Sequence, residues 1–289
     1  MNRRVPKWSV PMFFIVGAVS QYVGAALAVF LFATAEPATV AWLRAAGAAV
    51  VLLAWRRPWR CGWTRHDLTV AAGFGIVTVG MNVAFFEAIS RIPLGTAVAI
   101  EFIGPVAVAT LGTRRPRDVL AVILAAGGVA LLVGLQAGAD AVGVFFALVA
   151  AVLWAGYILL GKRVAEAGSG QGSLAIGMAV AAVLLAAPLL AGQLHTAAHV
   201  LTDPRTWLVG LGVGVLSTAV PYALDQFVLT LIPRARFALL LALLPATAAG
   251  IGAVMLHQWP TPTELAGTAL VMVALVISAD DSVVEDTGN

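Results

Sequence analysis

The chain has 289 residues, of which 61% are hydrophobic and 11% charged, a balance too apolar for a water-soluble globule. Seventeen basic and 14 acidic side chains leave a net charge of +3, too small and too dispersed for a nucleic-acid-binding surface. A single cysteine, Cys61, excludes an internal disulfide, and His66, His195, His199 and His257 stand at spacings that match no metal motif.

In chain order, apolar runs of about 17 to 25 residues, the length a hydrocarbon core of roughly 30 Å asks of a helix, predict ten transmembrane helices. They cover 10–32, 39–55, 68–89, 94–113, 119–135, 141–161, 174–192, 207–232, 237–256 and 263–279. The second, fifth and tenth are short, and Arg44 interrupts the second; the regular spacing of the connecting loops supports all three. The first run follows Arg3, Arg4 and Lys7 as a secretory signal would. Its apolar stretch outlasts the roughly 7 to 15 residues of a signal core, so it is read as a span.

Basic residues flanking membrane helices stay on the cytoplasmic side. With the N-terminus placed there, the inner segments hold Arg3, Arg4 and Lys7, then Arg56, Arg57, Arg60 and Arg65, then Arg114, Arg115 and Arg117, then Lys162 and Arg163, and last Arg234 and Arg236. Those are fourteen of the seventeen basic residues. The outer loops hold Arg91 and Arg205. An even number of crossings then returns the acidic tail, 280–289 with Asp280, Asp281, Glu285 and Asp286, to the cytoplasm as a solvating end.

A weak internal repeat divides the spans into two sets of five. Pro93 and Pro105 stand twelve apart, as do Pro233 and Pro245. Pro116-Arg117-Asp118-Val119-Leu120-Ala121 answers Pro262-Thr263-Glu264-Leu265-Ala266-Gly267, and Phe13-Phe14 answers Phe145-Phe146. Because five is odd, two such units would have opposite orientations in the membrane. The division falls near Asp140.

Ionisable side chains at membrane depth require a partner, a watery cavity or a task, since each costs about 2.5 to 3.5 kcal/mol on insertion scales. The predicted topology puts Glu101 near the midplane, Arg44 roughly 9 Å below the outer surface and Asp225 roughly 11 Å from the inner one; Glu87 lies within a turn of the outer surface. Thr218, Tyr222 and Asp225 share one helix face, with Pro221 freeing a backbone carbonyl beside them. Asn82 with Thr78, and Gln21 and Tyr22 with Ser20, form smaller polar stripes. Two readings stand for Arg44 and Glu101: a buried ion pair that locks two helices, or the lining of a central cavity. For Asp225, Asn82, Gln21 and Tyr22 the alternative to lining is hydrogen bonding between helices, and Gly210 with Gly214 reads as a close helix contact.

The run from Gly156 to Arg163 approaches a phosphate loop, but it lacks the Ser/Thr after Lys162 and no strand precedes it. There is no Gly-x-Ser-x-Gly elbow, and the histidines fall in loops or at span ends, so an enzyme has no nucleophile or base to name.

The stretch from Arg91 to Pro105, Arg114-Arg115-Pro116-Arg117-Asp118, Ser217-Thr218-Ala219-Val220-Pro221-Tyr222-Ala223-Leu224-Asp225, Met81-Asn82 and Trp42-Leu43-Arg44 together resemble the EamA-type branch of the drug/metabolite transporters, specifically its threonine/homoserine exporters. The resemblance covers nearly the whole chain. It implies an all-α integral membrane protein of ten transmembrane helices in two inverted five-helix EamA repeats, 8–138 and 141–279, followed by the tail 280–289. It also implies export of small metabolites, typically amino acids, across the plasma membrane. Two positions depart from the family pattern: Leu244 stands where the second repeat usually has Glu, and Gln258 where a Leu-Gly-Glu usually ends the ninth helix.

The expectation is therefore a secondary transporter with alternating access about a midplane cavity. Its substrate-binding candidates are Gln21, Arg44, Asn82, Glu101, Thr218, Tyr222 and Asp225. Arg44 suits a carboxylate and the acids an ammonium, with Glu101 or Asp225 as proton-coupling candidates. No catalytic residue, metal or cofactor is expected. The partners are a small solute and membrane lipid, not nucleic acid, with a homodimer as a further option. The alternative reading is a broad-specificity efflux pump on the same fold, and a lipid-modifying enzyme is a distant third.

Overall fold

The computed structural model describes residues 9–60, 62–110, 115–134, 140–166, 170–232 and 234–279. Arg3, Arg4, Lys7, Cys61, Arg114 and the acidic tail lie outside the described residues. Every regular element among the described residues is helical. In chain order these are α1 (Ser9–Leu31), α2 (Pro37–Arg56), α3 (Arg65–Ile89), α4 (Leu94–Glu101), α5 (Ile103–Thr110), α6 (Pro116–Gly134) and α7 (Ala141–Glu166). There follow α8 (Gly170–Leu184), α9 (Ala186–Ala197), α10 (Pro204–Gly214), α11 (Val220–Leu229), α12 (Arg234–Leu241), α13 (Leu244–Leu256) and α14 (Pro262–Ala279).

Fourteen helices arise from ten apolar runs because proline interrupts four of them. A proline removes the N–H that would bond the carbonyl four residues earlier, and its ring crowds that carbonyl. Pro105, Pro188 and Pro245 follow Glu101, Leu184 and Leu241 by four, and those three residues end α4, α8 and α12. At Pro221 the chain widens instead of breaking: Val215–Ala219 form a π turn, and the Val220 N–H bonds back to the Val215 carbonyl. The sequence reading drew 94–113, 174–192, 207–232 and 237–256 as continuous spans; the structure breaks the second by a 45° bend, gives the third a bulge, and interrupts the first and fourth only locally, so that Leu94–Thr110 and Leu239–Leu256 each still run as one apolar stretch.

Among the described residues seven helices are long and apolar enough to cross a membrane, or eight if α8 and α9, bent by 45°, make one crossing. The apolar stretches Leu94–Thr110 and Pro262–Ser278 are shorter. Outward-facing Val152, Val183, Leu208 and Val254 are between 71% and 76% exposed, whereas Thr39, Arg44, Asn82, Thr96 and Glu101 are buried. Apolar outside and polar inside is the arrangement a lipid solvent selects.

Packing follows a pattern of exchange. Helix α1 lies against α10, α11 and α13, while α7 lies against α3, α4 and α5; α2 packs on α10, and α8 on α3. Two further contacts, α2 with α8 and α6 with α14, join helices five runs apart. The crossings are tight where side chains vanish. A Cβ on Gly75 would overlap the Gly177 backbone, one on Gly47 the Leu211 backbone, and one on Gly214 the Arg44 carbonyl. Gly210 faces Leu43 in the same α2–α10 crossing.

Contacts also gather the connections at two ends. The Gln193 amide oxygen accepts from the Glu36 N–H at 2.8 Å, Arg91 lies 3.9 Å from Asp140, and the Gln258 amide oxygen accepts from the Leu94 N–H at 2.9 Å. Phe32 and Phe86 meet at 5.7 Å. At the opposite end Trp63 donates to the Pro58 carbonyl and stands beside Gly172.

Candidate functional site

Inside the bundle α1, α2, α3, α4 and α7 enclose a cavity of about 60 Å³, lined by Gln21, Tyr22, Ala25, Arg44, Met81, Asn82, Phe85, Glu101 and Trp154. Four of the seven residues predicted to bind solute, Gln21, Arg44, Asn82 and Glu101, therefore meet in one place, brought there from four helices. On the scale of about 10 to 15 Å³ per water, the space suits a handful of waters or one small solute.

Arg44 is positioned by the second half of the chain. Its Nε donates to Thr218 Oγ1 at 3.1 Å and its Nη2 to the Ser217 carbonyl at 3.2 Å. That carbonyl is available because Pro221, four residues on, has no N–H to offer it. The guanidinium also stands 5.3 Å from the Phe86 ring centre, a cation–π contact. Two of five N–H groups are thus engaged with the protein, and the remainder can serve a ligand. Thr218 reaches the site through Arg44 and is not part of the cavity wall.

Glu101 is 7% exposed and is the last residue of α4, at the break that Pro105 causes. No ion pair of 4.0 Å or less joins it to Arg44 among the described residues, so the locked pair is not formed. The guanidinium and the carboxyl group share a cavity without an ion-pair contact. Phe102, at the break, packs edge-on against Trp154 at 4.6 Å, which holds the turn rigid beside the carboxylate. Asn82 is 3% exposed and faces the cavity. Its neighbour Thr78 instead donates to its own helix at Phe74, and Ser20 donates to the Leu216 carbonyl.

Tyr222 and Asp225 do not reach this cavity. Asp225 lies seven residues beyond Thr218, about 10 Å further along the bundle. Tyr157 of α7 is within electrostatic reach of both, and the Arg56 guanidinium stands 5.7 Å from the Tyr222 ring and 4.2 Å from Trp55. Arg56 Nε is buried without a hydrogen-bond partner among the described residues. Glu87 pairs with Arg91 at 2.6 Å at the surface and takes no part. Residue chemistry did not point to Trp154, Phe85 or Ala25 as wall, because apolar residues in apolar helices carry no distinguishing signal. The Ser217 carbonyl was signalled by Pro221.

The EamA-like transporter family matches residues 141–279. The threonine/homoserine exporter RhtA of Escherichia coli K12 is 36% identical over 275 residues, covering 94% of this chain and 92% of the relative. RhtA of Salmonella typhimurium LT2 is 35% identical over 276 residues, and the uncharacterized transporter YwfM of Bacillus subtilis 31% over 203 residues, 67% of each chain. One solved crystal structure superposes with a TM-score of 0.59 at 18% identity, covering 94% of this chain and 96% of the other, which speaks for the fold alone. With its multiple apolar helices and these relatives, this chain is a multi-pass membrane protein that belongs to the EamA-like transporter family, in the threonine/homoserine exporter branch.

Proposed function

We propose that the protein is a secondary exporter of small amino acids, threonine and homoserine among them, working by alternating access about the Arg44–Glu101 cavity. The observation that carries this reading is the placing of a guanidinium and a carboxylate on one small cavity without an ion pair between them. A zwitterion supplies what each lacks. Its carboxylate takes the remaining N–H groups of Arg44 as a fork, and its ammonium sits by Glu101. Asn82, Gln21 and Tyr22 then hydrogen-bond the side-chain hydroxyl. Tyr222 and Asp225 with Arg56 form a second polar cluster, on the approach from the cytoplasm. Glu101 and Asp225 are the proton-coupling candidates.

The wider frame is ten membrane crossings in two inverted repeats, 8–138 and 141–279, with both termini cytoplasmic. Its support is the exchange of contacts, in which α1 and α7 trade partners, and the paired breaks at Glu101 and Leu241. Arg44 links α2 of one half to the π turn of the other, so a solute carboxylate arriving at Arg44 acts on both halves at once. The small volume favours this reading over a broad-specificity pump for bulky amphipathic compounds.

The test is efflux of labelled threonine, homoserine and a panel of larger compounds from cells or proteoliposomes. The expected result is export of the small hydroxy amino acids and no protection against the panel. Glu101→Gln, which keeps the shape and loses the charge, should slow efflux by about ten-fold or more, a loss of at least roughly 1.4 kcal/mol. Unaltered efflux in that variant, with the protein folded in the membrane, would remove Glu101 from the site.

A further inference from the structure

One wall of the central cavity carries a hydrogen-bond donor that the protein itself does not use. Trp154 is the wall residue contributed by α7, whereas Gln21, Arg44, Asn82 and Glu101 come from α1 to α4. It follows Ala147, Ala150 and Ala151 at helical spacing, and all three are buried, so it lies on the inward face of its helix. The opposite face, with Phe145, Leu148 and Val152, is exposed. Phe102, itself fully buried, meets the Trp154 ring edge-on at 4.6 Å. That contact holds the ring at the α4 break, beside the residue that follows Glu101.

A tryptophan N–H removed from water ordinarily finds an acceptor. Trp42 donates to the Ala182 carbonyl at 2.7 Å, and Trp63 and Trp207 donate to the Pro58 and Leu201 carbonyls at 2.8 Å. Trp55, Trp59 and Trp259 have no acceptor among the described residues, but they are exposed. Trp154 is half-buried, and no group among the described residues, Glu101 and Asn82 included, accepts from it. Its nitrogen is not sealed in either, since the buried side-chain atom that lacks a partner among the described residues is Arg56 Nε. The Trp154 N–H therefore meets open space on the helix face that borders the cavity.

An indole N–H donates and cannot accept, which sets it apart from the other polar groups of the wall. Gln21, Asn82 and Tyr22 carry both functions and can turn toward whichever a solute offers. With the Arg44 fork on the carboxylate and Glu101 by the ammonium, the part of an amino acid left for Trp154 is the side chain. We propose that Trp154 is a specificity-determining residue, its indole N–H donating to the hydroxyl oxygen of the solute's side chain. This role rests on the amino-acid export proposed above, and it supplies the group that tells a hydroxy amino acid from its hydrocarbon isostere. A hydroxyl has one donor and two acceptor positions, so it gives its proton to Gln21 or Asn82 while accepting from the indole. A methyl group in the same place displaces water from the N–H and returns no bond. Apolar walls alone separate such isosteres poorly; a donor built into the wall makes the difference large.

Proteoliposomes of the full-length protein are loaded with labelled threonine or with its isostere valine over a concentration series, and the ratio of the two efflux kcat/KM values is read. The wild-type protein should favour threonine by about ten-fold, the share of one hydrogen bond. Trp154→Phe keeps an aromatic ring against Phe102, loses the N–H, and should bring the ratio close to one. A tryptophan analogue with sulfur in place of the indole N–H, introduced at position 154, keeps the whole ring system and should do the same. Thermal unfolding of each variant checks that it is folded. The threonine preference retained in either folded variant would overturn the proposal. So would an equal loss for threonine and valine, which would put the indole on the carboxylate that both share. A wild-type protein that moves both solutes equally removes the role of Trp154 and leaves export standing, whereas one that moves neither removes the export reading and this role with it.

Discussion

Arg44 illustrates how much one side chain can depend on two backbones. Its own helix carries it to membrane depth, and the π turn of the other half supplies the Ser217 carbonyl and the Thr218 hydroxyl that aim it. A lysine brings charge but not a planar fork, so it cannot hold both acceptors and offer a bidentate pair to a solute. Arg44→Lys should raise the half-saturating solute concentration by about ten-fold or more, roughly 1.4 kcal/mol. The measurement is a concentration series of efflux or solute-dependent thermal stabilisation, and unchanged saturation would separate Arg44 from solute binding. Gln258 departs from the family pattern, yet it is no vacancy: its side chain caps α4 at Leu94. Asp118 and Glu264, which answer each other in the repeat, are buried helix-start residues, with Glu264 and Thr261 bonding reciprocally as a capping box.

At the level of elements, four prolines decide where the helices stop. Three end a helix four residues upstream, and the fourth opens a π turn, the same chemistry with a different outcome. Pro105, Pro221 and Pro245 were singled out in the sequence and Pro188 was not, and whether a proline breaks or widens a helix depends on what replaces the lost hydrogen bond. At Ser217 the replacement is Arg44. Pro221→Ala returns an N–H to that position and lets the Ser217 carbonyl rejoin the helix. The expected outcome is a stable protein, since an interior proline disfavours a helix by about 3 kcal/mol, combined with weaker solute binding through a loosened Arg44. Thermal unfolding and efflux measured on one preparation check the opposing signs; loss of stability without loss of efflux would show that the bulge is structural only.

For the whole molecule, the exchange of partners between α1 and α7, and between the α2–α10 and α8–α3 crossings, favours an arrangement that two inverted halves would generate. Its consequence is topological. Reporter fusions or single-cysteine labelling should place both termini and the 57–64 connection in the cytoplasm, and the 32–36, 90–93 and 257–261 connections outside. Termini on opposite faces would dismantle the ten-crossing frame and the direction of transport with it.

Composition and periodicity alone determined that this is a helical membrane protein, where its apolar runs lie, and that Arg44, Asn82 and Glu101 stand at a depth where a polar side chain needs a partner, a watery cavity or a task. Those conclusions follow from the solvent: lipid tolerates neither open backbone nor unpaired charge, and a linear pattern is enough to read that penalty. Which polar residues share a cavity was decided by the tertiary structure alone, because it depends on helix rotation and on glycine contacts such as Gly75 with Gly177. Tyr222 and Asp225 share a helix face with Thr218, but the axial rise of about 1.5 Å per residue carries them out of reach of Arg44. The Trp154 wall and the Ser217 carbonyl as an acceptor exist only once distant segments meet.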